Sequence, residues 1–217
     1  MLYLQNILFS VLATATLSLA QGPNSTSSST SNSTSPSLKL EIEAIKAHFS
    51  NAGLSPQLLA TFQPEALLSV FYEDVGQIQP GQNLTSDQVK PIPTLTLTPS
   101  NSSVSLSGSY TVMMVDAGIV GTDETKGQTG HWIANGCTVS NNTITLEHSL
   151  NITDYQGPFP AEGSGAHRYA ILVYVQPDSF NPPSDFSTTG QSVGPIDLNL
   201  YLNSSGIGPL FANRRTT

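Results

Sequence analysis

Apolar and polar residues alternate in short segments along most of the chain, and turn-forming residues separate these segments. Short alternating segments rich in Val, Ile, Leu, Thr and Tyr are typical of half-buried β-strands. The pattern predicts strands in ALLSVFYE (66–73), TLTLT (94–98), SVSLSG (103–108), YTVMMVD (110–116), HWIAN (131–135), TITLE (143–147) and RYAILVYVQ (168–176).

Two of these segments contain uninterrupted apolar runs, VMMV at 112–115 and AILVYV at 170–175. Continuous apolar strands suit a sheet that is covered on both faces, whereas alternating strands suit a sheet with one solvated face. We therefore expect these two strands to lie at the centre of a sheet.

Helical periodicity is confined to the two ends of the predicted domain. Apolar residues recur at helical spacing between 38 and 49, and Asn51-Ala52-Gly53 then ends the helix. The tail from 197 to 211 is expected to hold a second, short helix that a Gly-rich turn ends. The pattern predicts a mainly β fold, a sandwich with a few peripheral short helices.

The first twenty residues, MLYLQNILFSVLATATLSLA, contain no charged side chain and end in a small-x-small pattern. We predict that residues 1–20 are a secretory signal peptide cut after Ala20; a buried N-terminal helix is the alternative. Residues 21–37 contain no apolar residue that could offset ordering entropy, which predicts a disordered Ser/Thr-rich stalk. The folded domain is then expected at 38–217, with no transmembrane span in the mature chain.

Seven N-x-Ser/Thr sequons agree with a glycoprotein that is secreted or held in the cell wall. They are at Asn24, Asn32, Asn83, Asn101, Asn141, Asn151 and Asn203. Cys137 is the only cysteine, so the chain forms no intramolecular disulfide. A buried, inert thiol is expected, because a reactive thiol needs an electropositive neighbour, for which His131 is the candidate.

The charge balance restricts the partners. Charged residues make up 10% of the chain, and the formal net charge is −8. Such a chain has no basic surface to neutralise a phosphate backbone or to attract it to an anionic membrane. Nucleic acid is therefore not an expected partner, and we expect a monomer.

Arg168 is the only Lys or Arg between Gly127 and Asn213, and it begins an apolar strand. An unpaired guanidinium in that position would be costly to bury. Asp116 ends the other strongly apolar strand, and two central strands that share an end of a sheet bring their polar termini together. We therefore predict a structural ion pair between Arg168 and Asp116.

A turn-rich loop, YQGPFPAEGSGAH, precedes the strand that contains Arg168. Its glycines allow sharp turns and present bare N–H groups, which together form an anion-binding concavity. His167 closes the loop, and His131 begins a neighbouring strand. These features predict a pocket for phosphate, sulfate or carboxylate, although histidines can instead cap strand ends. The other pocket residues are Tyr155, Gly157, Gly163, Gly165 and Tyr169.

The segment YQGPFPAEGSGAHRYAILVY resembles the tyrosine-x-glycine, proline and G-x-G-x-H-R-Y block of the phosphatidylethanolamine-binding protein family. The spacing matches from Tyr155 to Tyr169. YTVMMVDAG is similar to the strand that leads into the family's D-P-D-x-P motif, HWIANG to its pocket-histidine strand, and residues 53–89 to its opening. The resemblance covers about residues 45–215 and is to a secreted, fungal-type member.

The resemblance implies a β-sandwich of a large and a small antiparallel-rich sheet, with an anion pocket at one end that accepts phosphorylated head groups. It implies ligand-binding roles for Asp116, His131, Tyr155, Gly157, His167 and Tyr169, with Arg168 in the structural ion pair. The expected function is a secreted, non-enzymatic binding protein for an anionic small molecule or phospholipid head group. Inhibition of a secreted or vacuolar serine carboxypeptidase, which occurs in the family's fungal branch, and a cell-wall glycoprotein are the alternatives.

The chain departs from the family pattern in two places. Where the family has D-P-D-x-P, residues 116–120 read Asp-Ala-Gly-Ile-Val, so Gly118 replaces the second acid and both prolines are absent. A carboxylate that could meet a ligand ammonium is lost with them. Phe159 stands where some members have a pocket-loop glycine, and its ring is expected to narrow or roof the site. These departures favour anion binding over ethanolamine recognition.

The sequence contains no evident catalytic constellation. Ser164 lies in EGSGA, which lacks the G-x-S-x-G spacing of a nucleophile elbow. No positioned nucleophile accompanies His131, His167 and Asp116. Two further histidines, at 48 and 148, are expected on the surface, and H-x-H and C-x-x-C spacings are missing. We expect no enzymatic activity, no metal and no cofactor.

Overall fold

The computed structural model describes residues 4–8, 36–123 and 127–207. These residues form two α-helices, one short 3-10 helix (Ser184–Phe186) and eleven strands. The helices are α1 (Pro36–Asn51) and α2 (Leu198–Ser204). The strands are β1 (Leu4–Leu8), β2 (Ala66–Tyr72), β3 (Gly76–Gln77), β4 (Gln82–Leu84), β5 (Thr94–Pro99), β6 (Tyr110–Asp116), β7 (Gln128–Ser140), β8 (Thr143–Thr145), β9 (Leu150–Thr153), β10 (Tyr169–Val175) and β11 (Gly194–Ile196).

The strands form a small and a large sheet that share β7. The small sheet has the order β3-β2-β5-β8-β7, and the large sheet continues as β7-β6-β10-β1-β4. Strands β9 and β11 pair with the other edge of β7. All pairs are antiparallel except β1 with β10. The predicted fold class, a β-sandwich of a large and a small sheet with short peripheral helices, is confirmed.

Strand β7 changes sheets close to a glycine. Its residues pair with β9 up to Asn135 and with β6 up to Cys137 in the large sheet, and residues from Thr138 pair with β8 in the small sheet. Just before the change, Gly136 has φ of 74°, a left-handed conformation that a residue with a Cβ rarely adopts. The left-handed residue bends the strand, so that the two sheets face each other.

The two faces of the large sheet bury separate apolar cores. Val112 and Met114 of β6 belong to the core between the two sheets. Met113 and Val115, which alternate with them, belong to a second core under the helices. Successive side chains of a strand point to opposite faces. The uninterrupted VMMV run therefore lies in a sheet covered on both faces, as predicted.

Most predicted elements are present, but SVSLSG (103–108) is not a strand. Its serines make local turn bonds instead: the Ser103 N–H donates to Asn101 Oδ1, and the Ser107 N–H donates to Ser105 Oγ. Such side-chain bonds compete with a sheet ladder for the backbone groups. Both predicted helices form, and the Asp197 carboxylate caps α2 by accepting from the Leu200 N–H at 2.9 Å.

The predicted N-terminal processing stays a prediction. Strand β1 lies within residues 1–20, the expected signal peptide, and most of the expected stalk at 21–37 lies outside the described residues. In the part of the chain that is described, neither helix has the length and apolar character needed to cross a membrane.

Candidate functional site

Three neighbouring strands bring the predicted site residues to one end of the large sheet. Asp116, the last residue of β6, pairs with Tyr169, the first residue of β10, and with Thr129 of β7. His131 lies two residues further along β7, and His167 lies two residues before Tyr169. The polar ends of the apolar strands meet, as predicted. We call Asp116, His131, His167 and Tyr169 the histidine site.

His167 and Asp116 form an ion pair when the imidazole is protonated. The His167 Nδ1 lies 2.8 Å from Oδ2 and 3.1 Å from Oδ1 of Asp116. Asp116 Oδ1 also accepts the Gly118 N–H at 2.7 Å. These contacts fix the carboxylate and use Nδ1 of His167, so a proton on Nε2 of the same ring is available to a ligand.

His131 is buried, with 2% of its surface exposed. Its Nδ1 lies 3.2 Å from the Gln156 carbonyl oxygen and donates to it. The ring meets Tyr169 edge-on, with centroids 5.2 Å apart. Burial lowers the pKa of His131 from 6.5, against the opposing effects of the Gln156 carbonyl and the Asp116 charge. The neutral imidazole is therefore the dominant form at pH 7.

The Tyr169 side chain is fully buried, and its hydroxyl makes no well-formed hydrogen bond with the described residues. The Asp116 carboxylate and the Phe159 N–H both lie close enough to act on the hydroxyl, but with poor hydrogen-bond geometry. Burial, and next the Asp116 charge, raise the pKa of Tyr169 well above its usual value of 10.0. A buried hydroxyl without a well-formed hydrogen bond costs about 1–3 kcal/mol, so a ligand oxygen that completes such a bond would gain free energy here.

Phe159 roofs the histidine site, as the sequence predicted. Its ring centroid is 4.8 Å from that of His131, with the rings tilted by 54°. The other side of the Phe159 ring is open, since 57% of the residue is exposed. Ile119 and Val120 are also exposed, and a Cβ on Gly165 would lie 3.7 Å from Ile119. We call Phe159, Ile119 and Val120 the apolar rim.

A cavity of about 440 Å³ opens beside Asp116 and His167. Its wall includes a second carboxylate, that of Asp197, together with Thr122 and Gln128. We call it the acidic cavity. The sequence marked Asp197 only as the start of a helix, and the pairing of β11 with β7 brings it here. No local pattern signals that long-range pairing.

The ion pair predicted between Arg168 and Asp116 stays a prediction, because the contacts described for Arg168 are to backbone carbonyls. Arg168 is fully buried, and its guanidinium donates from Nη1 to the Ala52 carbonyl at 2.7 Å, from Nη2 to the Ala117 carbonyl and from Nε to the Gly118 carbonyl at 3.2 Å. His167, which directly precedes Arg168, contacts the Asp116 carboxylate. Arg168 ties the end of α1 to the turn after β6.

Tyr155 and Gly157 both contact the segment at Val89. The Tyr155 hydroxyl donates its single proton to the Val89 carbonyl at 2.6 Å and accepts from Tyr72 at 3.0 Å. In this arrangement the hydroxyl has no proton left for a ligand, and the ligand-binding role of Tyr155 stays a prediction. A Cβ on Gly157 would lie 2.6 Å from the Val89 carbonyl oxygen, so glycine is needed for this close approach.

The other candidates for chemistry lie apart from the histidine site. Cys137 is buried, and burial raises the pKa of its thiol to about 11, which confirms an inert thiol. The Ser164 hydroxyl donates to the Ala161 carbonyl at 2.7 Å. His48 and His148 are exposed, as predicted. Within 36–123 and 127–207, no three His, Cys, Asp or Glu side chains cluster as metal ligands would.

The sequons differ in exposure. Asn83, Asn141 and Asn203 are exposed, whereas Asn101 and Asn151 are half-buried. Asn24 and Asn32 lie outside the described residues. Glycosylation at these positions stays a prediction.

Residues 74–204 match a family model described as phosphatidylethanolamine-binding protein. The 26 kDa secreted antigen of Toxocara canis is 31% identical over 136 residues, which are 62% of this chain and 48% of that protein. The chain thus spans about half the length of that relative. Phomoidride biosynthesis cluster protein N of Talaromyces stipitatus is 28% identical over 167 residues, 67% of this chain and 81% of that protein.

Among solved structures, the chain resembles a carboxypeptidase Y inhibitor crystallised with its cognate proteinase. The TM-score is 0.63 at 19% sequence identity, over 76% of this chain and 90% of that chain. At this level of identity the likeness shows a shared fold.

Proposed function

The chain belongs to the phosphatidylethanolamine-binding protein family, and we propose that it is a non-enzymatic binding protein whose histidine site takes the phosphate of a small phosphate ester. The buried hydroxyl of Tyr169, which makes no well-formed hydrogen bond, is the observation that carries the proposal. A phosphate oxygen would supply an acceptor of good geometry. His131 and His167 flank the Tyr169 ring, each with its Nε2 available once the imidazole is protonated.

Three hydrogen bonds give a site of modest strength. If His131, His167 and Tyr169 each donate to phosphate at about 1.5–3 kcal/mol, the gross gain is about 5–9 kcal/mol before the costs of association. The affinity expected from the head group alone is therefore roughly millimolar to high micromolar.

Binding is linked to the protonation of His131. An oxygen that accepts from Nε2 of His131 requires the proton that burial disfavours. Phosphate binding should therefore take up a proton, and the affinity should rise as the pH falls from neutral toward the lowered pKa of His131.

The acidic cavity favours an ester with a cationic arm. Asp116 and His167 border both the histidine site and this cavity, and Asp197 adds a second carboxylate. A phosphate ester that reaches into the cavity with an ammonium group gains a charge-assisted contact there, whereas an anionic or neutral arm does not. Asp197 thus stands in for the acid that Gly118 replaces, although its own Oδ1 also caps α2.

The proposal is tested by following the His131 and His167 ring signals by NMR during titration. Phosphate, phosphoethanolamine and glycerol 3-phosphate are added to the purified protein and to the His167→Ala and His148→Ala variants. We expect both ring signals to shift, phosphoethanolamine to bind most tightly, and His148→Ala to behave as wild type because His148 is exposed outside the site. Equal, negligible shifts in the wild type and in His167→Ala would contradict phosphate binding.

Inhibition of a serine carboxypeptidase is the second candidate function. Its support is the fold shared with a carboxypeptidase Y inhibitor and the exposed apolar rim, which offers a contact surface to a protein. The purified protein is tested against carboxypeptidase Y, together with Val120→Asp and, as a control, the exposed Leu200→Asp. We expect the wild type and Leu200→Asp to inhibit equally and Val120→Asp to inhibit less. If the wild type does not inhibit even at large molar excess, this candidate function is ruled out.

We also propose that the protein is exported through its N-terminal segment and glycosylated. The expected cleavage after Ala20 is checked by N-terminal sequencing of protein recovered from the culture medium. Exposed Asn83, Asn141 and Asn203 are the sequons expected to carry glycans. Recovery of only unglycosylated, full-length protein inside cells would contradict export.

A further inference from the structure

A second concavity lies where the two sheets part, away from the strand that they share. A cleft of about 510 Å³ is bounded by α1, by β2 of the small sheet, by β10 of the large sheet and by the loop at 101–106. The cleft borders the part of β10 from Ile171 to Val175, whereas the histidine site uses Tyr169 at the start of that strand. We call this concavity the apolar cleft. Its volume is typical of a small-molecule site.

The walls of the apolar cleft are hydrocarbon. Side chains from both cores meet in it, among them Phe49 of α1, Leu68 of β2, Leu106 of the loop and Leu172 of β10. No Lys or Arg is among the described residues that line it. Burying apolar ligand surface against such walls is favourable by about 25 cal/mol per Å².

Two polar features of the cleft restrict the ligand further. Tyr110 lines the cleft, its side chain is 2% exposed, and its hydroxyl is buried without a hydrogen-bond partner among the described residues. Glu65 is the only charged residue in the lining; it is largely exposed, and desolvation raises the pKa of its carboxyl. A ligand oxygen would pair with the tyrosine hydroxyl, whereas a ligand carboxylate would meet Glu65 and no cation.

We propose that the apolar cleft binds a neutral amphiphile, a hydrocarbon chain or ring system that carries one hydroxyl or carbonyl oxygen for the Tyr110 hydroxyl. This binding is independent of phosphate binding at the histidine site. The hydrocarbon provides most of the affinity, and the single oxygen provides the selection against fully apolar and anionic molecules.

The test is displacement of a neutral fluorescent probe, N-phenyl-1-naphthylamine, from the purified protein. 1-Decanol and decanoate share a chain length but differ in charge. We expect 1-decanol to displace the probe at a concentration at least about tenfold lower than decanoate. Tyr110→Phe keeps the ring, removes an unpaired hydroxyl and should fold; its affinity for 1-decanol should fall about three- to tenfold, the value of one hydrogen bond, with probe binding unchanged.

Filling the cleft should abolish probe binding. Ala66→Trp places a ring in the cleft from β2, and Val104→Trp does so from a half-buried loop position that tolerates substitution better. Leu200→Trp adds the same ring to an exposed position on α2 and should bind the probe normally. His167→Ala, which is expected to lose phosphate binding, should also bind the probe normally.

Several results would overturn the proposal. Probe binding that survives both tryptophan variants in the cleft, or that is lost in His167→Ala, would place the probe elsewhere. Equal displacement by 1-decanol and decanoate, or an unchanged 1-decanol affinity in Tyr110→Phe, would remove the selection for a neutral, oxygen-bearing ligand. Absence of probe binding by the wild type would mean that the cleft is covered or closed in solution.

Discussion

A buried histidine makes the stability of this protein depend on pH. Burial disfavours the charged form of His131 and holds its pKa below 6.5, with Asp116 and His167 as the charged groups that face it. The unfolded chain therefore takes up this proton more readily than the folded one. The contribution of His131 is fully present above pH 6.5 and is lost as the pH falls from 6.5 through the lower folded pKa.

We expect the His131→Gln variant to lose less stability on acidification than the wild type does. Free energies of unfolding in urea, measured between about pH 8 and about pH 5, check this expectation. His148→Gln, in which an exposed imidazole is replaced, should follow the wild-type curve. Parallel curves for the wild type and His131→Gln would contradict the lowered pKa.

At the residue scale, the sequence predicted which strand ends lie together, and the structure adds the contact between His167 and Asp116. Asp116, His131, His167 and Tyr169 meet because their strands end together, which apolar patterning already indicated. Charge alone favoured Arg168 as the partner of Asp116, whereas the contacts described for Arg168 are to carbonyl oxygens at the end of α1 and after β6.

At the scale of elements, Arg168 links the end of α1 to the end of the large sheet by hydrogen bonds. Its guanidinium donates to the Ala52 carbonyl after the helix and to the Ala117 carbonyl after β6. Arg168→Met leaves these two acceptors without donors, and each buried acceptor costs about 1–3 kcal/mol. We expect a loss of about 2–6 kcal/mol in the free energy of unfolding, measured in urea.

Two variants control this experiment. Arg168→Lys keeps the charge but lacks the planar fork that serves several carbonyls, so it should recover less than half of the loss. Lys46→Met removes an exposed ion pair with Glu43, 3.0 Å long, and should cost less than about 1 kcal/mol. If Arg168→Met lost no more stability than Lys46→Met, the hydrogen bonds from Arg168 to the two carbonyls would contribute little to the stability of the fold.

Long strands were predictable and short ones were not. The apolar runs in β6 and β10 are visible in the sequence because both faces of these strands are buried. Strands β3, β4, β9 and β11 have two to four residues each and are set by pairing with distant segments. Conversely, SVSLSG alternates like a strand, yet its serines and Asn101 form local turns.

At the scale of the whole molecule, the reactivity of the Cys137 thiol measures how often the two sheets separate near the bend in β7. Cys137 follows the bend in β7, is fully buried in the core between the sheets and has a pKa raised to about 11 by burial. A disulfide-forming reagent reacts with thiolate, which neither the burial nor the pKa permits in the folded state. The rate at which Cys137 is labelled should therefore be limited by how often the two sheets separate.

We expect labelling by Ellman's reagent in native buffer to be at least about a thousandfold slower than in urea, consistent with an unfolding free energy of at least about 5 kcal/mol. The rate is followed by absorbance. Urea at concentrations above the unfolding midpoint should restore the full rate. Fast labelling of the native protein would contradict the burial of Cys137 between the two sheets.

Affinity for phosphoethanolamine in the wild type and in Tyr169→Phe is the most direct measure of the central claim. The variant removes a single buried hydroxyl that makes no well-formed hydrogen bond in the free protein. We predict that calorimetric titration shows affinity about three- to tenfold weaker, while the free energy of unfolding of the ligand-free variant is equal or higher. Unchanged affinity, or a variant that is less stable without ligand, would contradict the proposal that the Tyr169 hydroxyl donates to phosphate rather than stabilising the free protein.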